Sequence, residues 1–213
     1  MTQAIAKVCE QFGVNPVEGV LSHKLKKHLI DGNDVIINKE TPEQRVEEFE
    51  FAAGDVIGLD IYVSTGEGKP KESEFRTTVY KRELDAQYNL KLQKSRAFFT
   101  EVNKRFPTLP FAIRAFEDPV GAKVGVKECL DHDLLTAYPV LTEKAGEFVA
   151  HFKTTVAVLP RSTVVLAGEI PLAARFESEK KIVDAELSAL ISSELWKKED
   201  KKKTGKKEDE KKE

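Results

Sequence analysis

Four histidines, His23, His28, His132 and His151, are the first residues to weigh for metal chemistry. His23 and His28 stand five positions apart, off the three- or four-residue spacing that puts two ligands on one helical face, and no H-E-x-x-H occurs. Spacing alone therefore reads them as hydrogen-bonded or solvent-facing side chains. The run Ser64-Thr65-Gly66-Glu67-Gly68-Lys69 approximates a phosphate-cradling loop. A Walker loop must run from its G-K-[ST] into a helix, so that free backbone N–H groups meet the phosphate. Here Gly68-Lys69 meets Pro70, so a hairpin turn is the reading. Cys9 and Cys129 form no C-x-x-C pair, which argues against a disulfide framework or cysteine zinc site and for a reducing compartment. No G-x-S-x-G elbow is present. Leu187, Leu190 and Ile191 approximate the L-x-x-L-L peptides that dock into grooves, although most amphipathic helices share that spacing and use it for core packing. Lys24, Lys26, Lys27 and the lysines of the C-terminal tail suit phosphate binding, because cations there release counterions on association.

The elements that would position these residues follow from hydrophobic periodicity. Residues 2–12 carry Ile5, Val8, Cys9 and Phe12 at helical spacing, and Gly13 is a natural stop. Val17–Leu29 reads as a strand or irregular extended segment, Asp31-Gly32 as a turn and Val35–Ile37 as a short strand. Thr41–Glu48 is polar, a loop or a helical turn. Val56–Ser64 reads as a buried strand; Ser64–Lys71 is expected to form a hairpin loop that returns as a strand at Thr77–Tyr80. Phe98, Phe99, Val102 and Phe106 predict a helix over 94–106, stopped by Pro107, and Val120–Leu130 a second one. Phe148–Leu159 is the longest strand signal, with Thr163–Leu166 beside it, and Ile182–Leu195 reads as a final amphipathic helix. Strands and helices alternate without the rhythm of a doubly wound sheet, which predicts an α+β domain with a largely antiparallel sheet.

The chain has 213 residues, 40% hydrophobic and 33% charged, a globular balance with room for one sizeable domain or two small ones. Its longest apolar runs, such as Val156–Leu159, fall far short of the roughly 20 residues of a membrane span. The first residues lack a basic start followed by an apolar run, against a secretory signal. The formal net charge of −2 divides unevenly. Residues 197–213 hold nine Lys against six Asp or Glu, a local +3, and leave −5 on the remainder. A lysine-rich tail over 196–213, read as disordered, is therefore expected on a mildly acidic body over 1–195.

Three segments carry a resemblance to a known family. Gly19–His28 with Asp31-Gly32 resembles the histidine segment of type-two methionine aminopeptidases, Asp55–Gly68 the strand and hairpin that follow, and Gly146–Val156 the last metal-binding strand. Within that superfamily the chain is similar to the ErbB-receptor-binding, proliferation-associated proteins. The runs Arg76–Arg82, Lys94–Phe99, Arg105-Phe106, Leu109-Pro110-Phe111 and Ile113–Asp118 carry that likeness. The resemblance implies a pita-bread fold, two pseudo-related α/β halves around a central sheet, of which this chain matches only the C-terminal half plus tail.

The resemblance also implies where metals would sit. The aminopeptidases hold two divalent metals with two aspartates, a histidine and two glutamates. The aspartates belong to the half without a counterpart here. His23 falls at the histidine, Asp60 at the first glutamate and Lys153 at the bridging glutamate. An ammonium at a bridging carboxylate position implies no metal, no cofactor and no peptidase activity. What the family likeness implies instead is a non-catalytic RNA- and ribosome-binding regulator of ribosome production, translation and growth in cytoplasm, nucleus and nucleolus. Structured RNA and the ribosome are then the expected partners, with no membrane. Binding would come from Lys24, Lys26, Lys27, from Lys123 and Lys127 in a family insert at about 116–133, and from Lys201, Lys202, Lys203, Lys206 and Lys207. The alternative is a co-regulator that docks receptor or transcription partners through Leu187, Leu190, Ile191 and the tail.

Overall fold

A computed structural model describes residues 1–168 and 177–192. The first helix, α1 (Thr2–Phe12), ends where Gly13 takes a left-handed φ of 68° and its N–H returns to Glu10 O at 3.1 Å. The main sheet is antiparallel throughout. It comprises β1 (Asn15–Pro16), β2 (Leu21–Leu25), β3 (Val35–Ile37), β4 (Val56–Ser64), β10 (Val149–Leu159) and β11 (Ser162–Ala167), in the order β11-β10-β4-β2-β3 with β1 on β4. The two strands with the longest apolar runs, β4 and β10, lie side by side from Val56↔Ala157 to Ser64↔Val149. Buried Asn38 ties this sheet to the loop after β1, donating to Val17 O at 2.9 Å and Tyr62 O at 2.7 Å.

Between β4 and β10 the chain builds a second unit. It leaves through β5 (Lys71–Glu72) and returns through β9 (Leu141–Thr142), and these two pair with each other. The unit itself is a three-stranded sheet, β7 (Phe111–Ala112), β6 (Val79–Arg82) and β8 (Leu135–Tyr138), under α2 (Gln93–Arg105) and α3 (Pro119–Asp131). Its own core joins Tyr80, Phe98, Val102, Phe111, Phe116 and Cys129. Asp118 starts α3 by accepting the N–H groups of Val120 and Gly121, with Pro119 in the first turn. The last described helix, α4 (Ala185–Ser192), lies near α1, where Lys7 pairs with Glu186 and Gln11 accepts the Val183 N–H at 2.7 Å.

Most predicted elements stand where periodicity placed them, but the predicted hairpin does not. The Val79–Arg82 strand never pairs with β4; it is the middle strand of the second sheet. Both sides of β4 are already taken, one by β10 along its whole length and the other by β2 and β1. The loop after β4 is held by Glu143, whose carboxylate accepts from Ser64 Oγ and Gly68 N–H, both at 3.0 Å. Thr41–Glu48 has no helical turn, and the expected tail over 196–213 lies outside the described residues.

The crossing of α2 and α3 depends on Gly125, where a Cβ would come within 2.6 Å of the Phe98 ring. Gly125→Ala is therefore expected to cost about 1–3 kcal/mol by overpacking. The check is the midpoint of urea unfolding, which should fall with an unchanged m-value.

Candidate functional site

Alternate residues of a strand share a face, so Gly58, Asp60, Tyr62 and Ser64 line one side of β4. Register sets Thr155, Lys153 and His151 of β10 opposite Gly58, Asp60 and Tyr62, and His23 of β2 opposite Gly58 from the other flank. The three residues singled out by sequence, His23, Asp60 and Lys153, thus stand on one face of three adjacent strands. Neighbouring strands are about 4.8 Å apart, close enough for their side chains to meet.

Both carboxylate oxygens of Asp60 are engaged. Lys153 Nζ donates to Oδ2 at 2.8 Å, and the Nε2 of His151 shares a hydrogen bond with Oδ1. The His151 ring lies flat on Tyr62, centroids 3.9 Å apart and planes 13° from parallel. Burial, and then the Asp60 charge, push the Tyr62 hydroxyl above its ordinary pKa. Asp60 is anchored from behind as well, its N–H donating to Ser22 Oγ at 2.8 Å. His23 turns to the neighbouring loop instead, with Nδ1 3.0 Å from Gly32 O. Among the described residues no three His, Cys, Asp or Glu side chains converge as a metal-binding set. Beside Asp60 and Tyr62 lies a cleft of about 440 Å³ walled by Val20, Leu21, Pro139 and Leu141, with Glu143 at its side. Backbone N–H groups of Lys144 and Gly68, with Ser64 Oγ, hold the Glu143 carboxyl below its ordinary pKa. Sequence reasoning missed His151 as the second partner of Asp60. The signal was there, two polar residues at i and i+2 on an apolar strand.

The lysines divide into two kinds. The Lys24 ammonium is bound to Asp55 at 2.9 Å and Asp34 at 3.3 Å, and the Asp55 hydrogen bond leads the causes that raise its pKa. It is committed within the fold, not offered to a ligand. Lys26 and Lys27 occupy an exposed turn closed by Lys26 N–H to Leu29 O at 2.9 Å, with His28 at a φ of 64°. Lys123 and Lys127 lie one turn apart on the exposed side of α3, next to Val120 and Val124, which are also exposed. Segment 116–133 is thus α3 with its cap, packed against α2 as part of the second unit. Lys201, Lys202, Lys203, Lys206 and Lys207 lie outside the described residues. On α4, Leu187 is buried at 6% exposure, whereas Leu190 and Ile191 are 64% and 67% exposed. The L-x-x-L-L-like spacing is therefore split between core and surface. Cys129 is buried in the second unit, its thiol pushed up to about 12 by burial, and both cysteines are free. No helix among the described residues is long and apolar enough to cross a membrane.

Comparison with known proteins adds a context to this geometry. The chain is similar to proliferation-associated protein A of Dictyostelium discoideum, 44% identical over 196 residues, which are 92% of this chain and 50% of that protein. An ErbB-3 binding protein 1 of Solanum tuberosum is 46% identical over 164 residues, 76% of this chain and 42% of that one. A protein of Schizosaccharomyces pombe named curved DNA-binding protein is 36% identical over 209 residues, 97% and 55% of the two chains. A methionine aminopeptidase 2-1 of Fusarium vanettenii is more distant, 27% identical over 154 residues, 70% and 33% of the two chains. Among solved structures, a thermophilic Arx1 superposes with a TM-score of 0.82 at 31% identity, over 92% of this chain and 52% of that chain. The chain thus spans about half the length of the curated relatives it matches. No protein-family profile matches it.

Proposed function

Over the stretch it covers, the chain belongs to the proliferation-associated, ErbB-3-binding-protein family on an aminopeptidase-like pita-bread fold, and from that premise we propose a regulator that binds and does not catalyse. The observation that carries the second half of this reading is the Lys153–Asp60 pair at 2.8 Å. A metal-bridging position needs an unengaged carboxylate, and here an ammonium stands where one is needed and consumes its neighbour. The residues present do not fit two divalent metals. The relatives with the higher identities bear names of binding or growth-associated proteins, not of enzymes.

The ligand in this reading is structured RNA, with the ribosome as its source, and the role is in ribosome production, translation and growth in cytoplasm, nucleus and nucleolus. Exposed Lys26, Lys27, Lys123 and Lys127 support it, as does the nucleic-acid name of the Schizosaccharomyces pombe relative. Lys201, Lys202, Lys203, Lys206 and Lys207 would add affinity through charge alone. Every lysine–phosphate pairing that is removed flattens the plot of log affinity against log salt by roughly 0.7–0.9. Replacing Lys26 and Lys27 by Gln should therefore flatten the slope by about one to two, and deleting residues 197–213 should flatten it further. Lys24→Gln should leave the slope unchanged and lower the unfolding midpoint, because its charge is spent on Asp55 and Asp34. Co-sedimentation with ribosomes at rising salt tests the whole reading; a chain that stays in the supernatant even at low salt would sink it.

A second reading has its own observation. Leu190 and Ile191 are exposed on α4 while Leu187 anchors the helix, which suits docking of a protein partner, and the Solanum relative is named for one. Such capture would be insensitive to salt and abolished by Ile191→Ser.

A further inference from the structure

We infer that a cleft in the second unit, at the loop leading into α2, is a seat for one unpaired RNA base; the inference rests on the RNA reading above and names the part of the RNA that is read. The cleft has a volume of about 270 Å³ and is lined by Tyr88, Asn89, Leu90, Arg96, Phe99 and Thr100. Its flat groups are fixed in place. Tyr88 lies against His132 with ring centroids 3.5 Å apart and planes 15° from parallel. Arg96 Nη1 donates to Leu90 O at 3.1 Å and Lys91 O at 2.7 Å, which pins the guanidinium plane and leaves its other N–H groups unbonded among the described residues. The Arg82 guanidinium sits over the Phe99 ring at 5.8 Å, and its buried Nε has no partner among the described residues.

Fixed rings and guanidinium planes are the surfaces on which unstacked bases settle, because every base has a π-face and the stacking group gives up little entropy. Asn89 adds what stacking lacks. Its exposed amide has no partner among the described residues, and it carries donor and acceptor side by side, the pattern that reads a base edge. Charge favours the same ligand. Exposed Lys91 directly follows Leu90 of the lining, and no carboxylate is among the described residues that line the cleft. The Glu128 carboxylate of α3 is spent on the N–H groups of Lys91, at 2.6 Å, and Leu92, at 3.3 Å. A duplex keeps its bases stacked inside, so only a single strand, loop or bulge can fill the seat.

The test uses the full chain and a twelve-nucleotide single-stranded RNA carrying one 2-aminopurine, with the same RNA in duplex and AMP as further arms. Binding to the single strand should change the 2-aminopurine fluorescence. Tyr88→Leu and Asn89→Ala should each weaken that binding, about tenfold for the stacking residue, with duplex binding and salt slope unchanged. Arg96→Gln is informative only if its unfolding midpoint is retained; Asn89→Ala, at an exposed position, keeps the proposal testable if it is not. Variants that bind the single strand as the parent does would overturn the seat and leave the RNA reading standing. AMP bound as tightly as the oligonucleotide would also overturn it, in favour of a mononucleotide site. A parent chain that binds neither RNA would overturn the RNA reading and the seat with it.

Discussion

Methionine will not be released from a methionyl peptide when the purified chain is supplied with cobalt, manganese or zinc, and Lys153→Glu will not start the reaction. The first outcome follows from the engagement of Asp60, whose two oxygens are already bound, one to Lys153 and one to His151. The charge on Lys153 makes matters worse for a metal. Even for unit charges at about 4 Å and an effective dielectric near 20 the repulsion is roughly 4 kcal/mol, and it doubles for a divalent ion. The second outcome follows from ligand number. Lys153→Glu restores one carboxylate on a face whose other candidates among the described residues are Asp60, His151 and His23; Asp60 and His151 are hydrogen-bonded to each other, and His23 is turned to Gly32 O. The same substitution sets Glu directly across from Asp60 on paired strands. Like charges there cost about 0.2–1 kcal/mol, so the variant should unfold at slightly lower temperature and still be inactive. Peptide hydrolysis assays and calorimetric metal titration read both outcomes. Stoichiometric metal together with turnover in the parent chain would show that the lysine is displaced and the site rebuilt.

The 213-residue chain made alone will bind an apolar dye and self-associate. Strands β10 and β11 expose Val149, Phe152, Leu159, Val164, Val165 and Leu166, and Phe148 just before them is 78% exposed. These side chains are shared between the two faces of the sheet, and soluble monomers rarely leave so much apolar surface on adjacent strands in water. Among the described residues β11 is also the last strand of its sheet, and Ser162–Ala167 contains neither the lysine nor the proline that blunts an edge. The expected result is a concentration-dependent sedimentation coefficient and a dye signal on the folded protein. Val165→Lys should shift the distribution towards monomer while β10 pairing persists, since Val165 stands opposite Val156 and is itself half exposed. A compact monomer that ignores the dye would mean that these side chains are covered within the chain.

Much of this was legible in the sequence because the relevant signals are local. Ile5, Val8, Cys9 and Phe12 repeat at helical spacing, and Gly13 ends the helix at the expected place. Val56–Ser64 and Val149–Leu159 are apolar enough to announce central strands. The failures are non-local. Val79–Arg82 looks like a returning hairpin strand because Gly66 and Gly68 precede it, yet its partners are Phe111-Ala112 and Leu135–Tyr138, decided by tertiary packing. Leu135–Tyr138 is too short to announce itself. At the site, the residue types of His23, Asp60 and Lys153 could be read one by one. That Lys24 is tied to Asp34 and Asp55 while Lys26 and Lys27 are exposed depends on which loops fold back, and no spacing rule contains that information.

The pairing of β5 with β9 has a consequence for how such a chain can change over generations. The polypeptide departs from the large sheet and re-enters it at adjacent points, clasped by Lys71↔Thr142 and Glu72↔Leu141. Whatever is spliced between those points begins and ends in one place, so its size never reaches the register of β4 against β10. The clasp works as a socket. A lineage can lengthen, trim or re-surface the α2–α3 module and acquire a new partner while the sheet that carries Asp60 and Lys153 stays as it was.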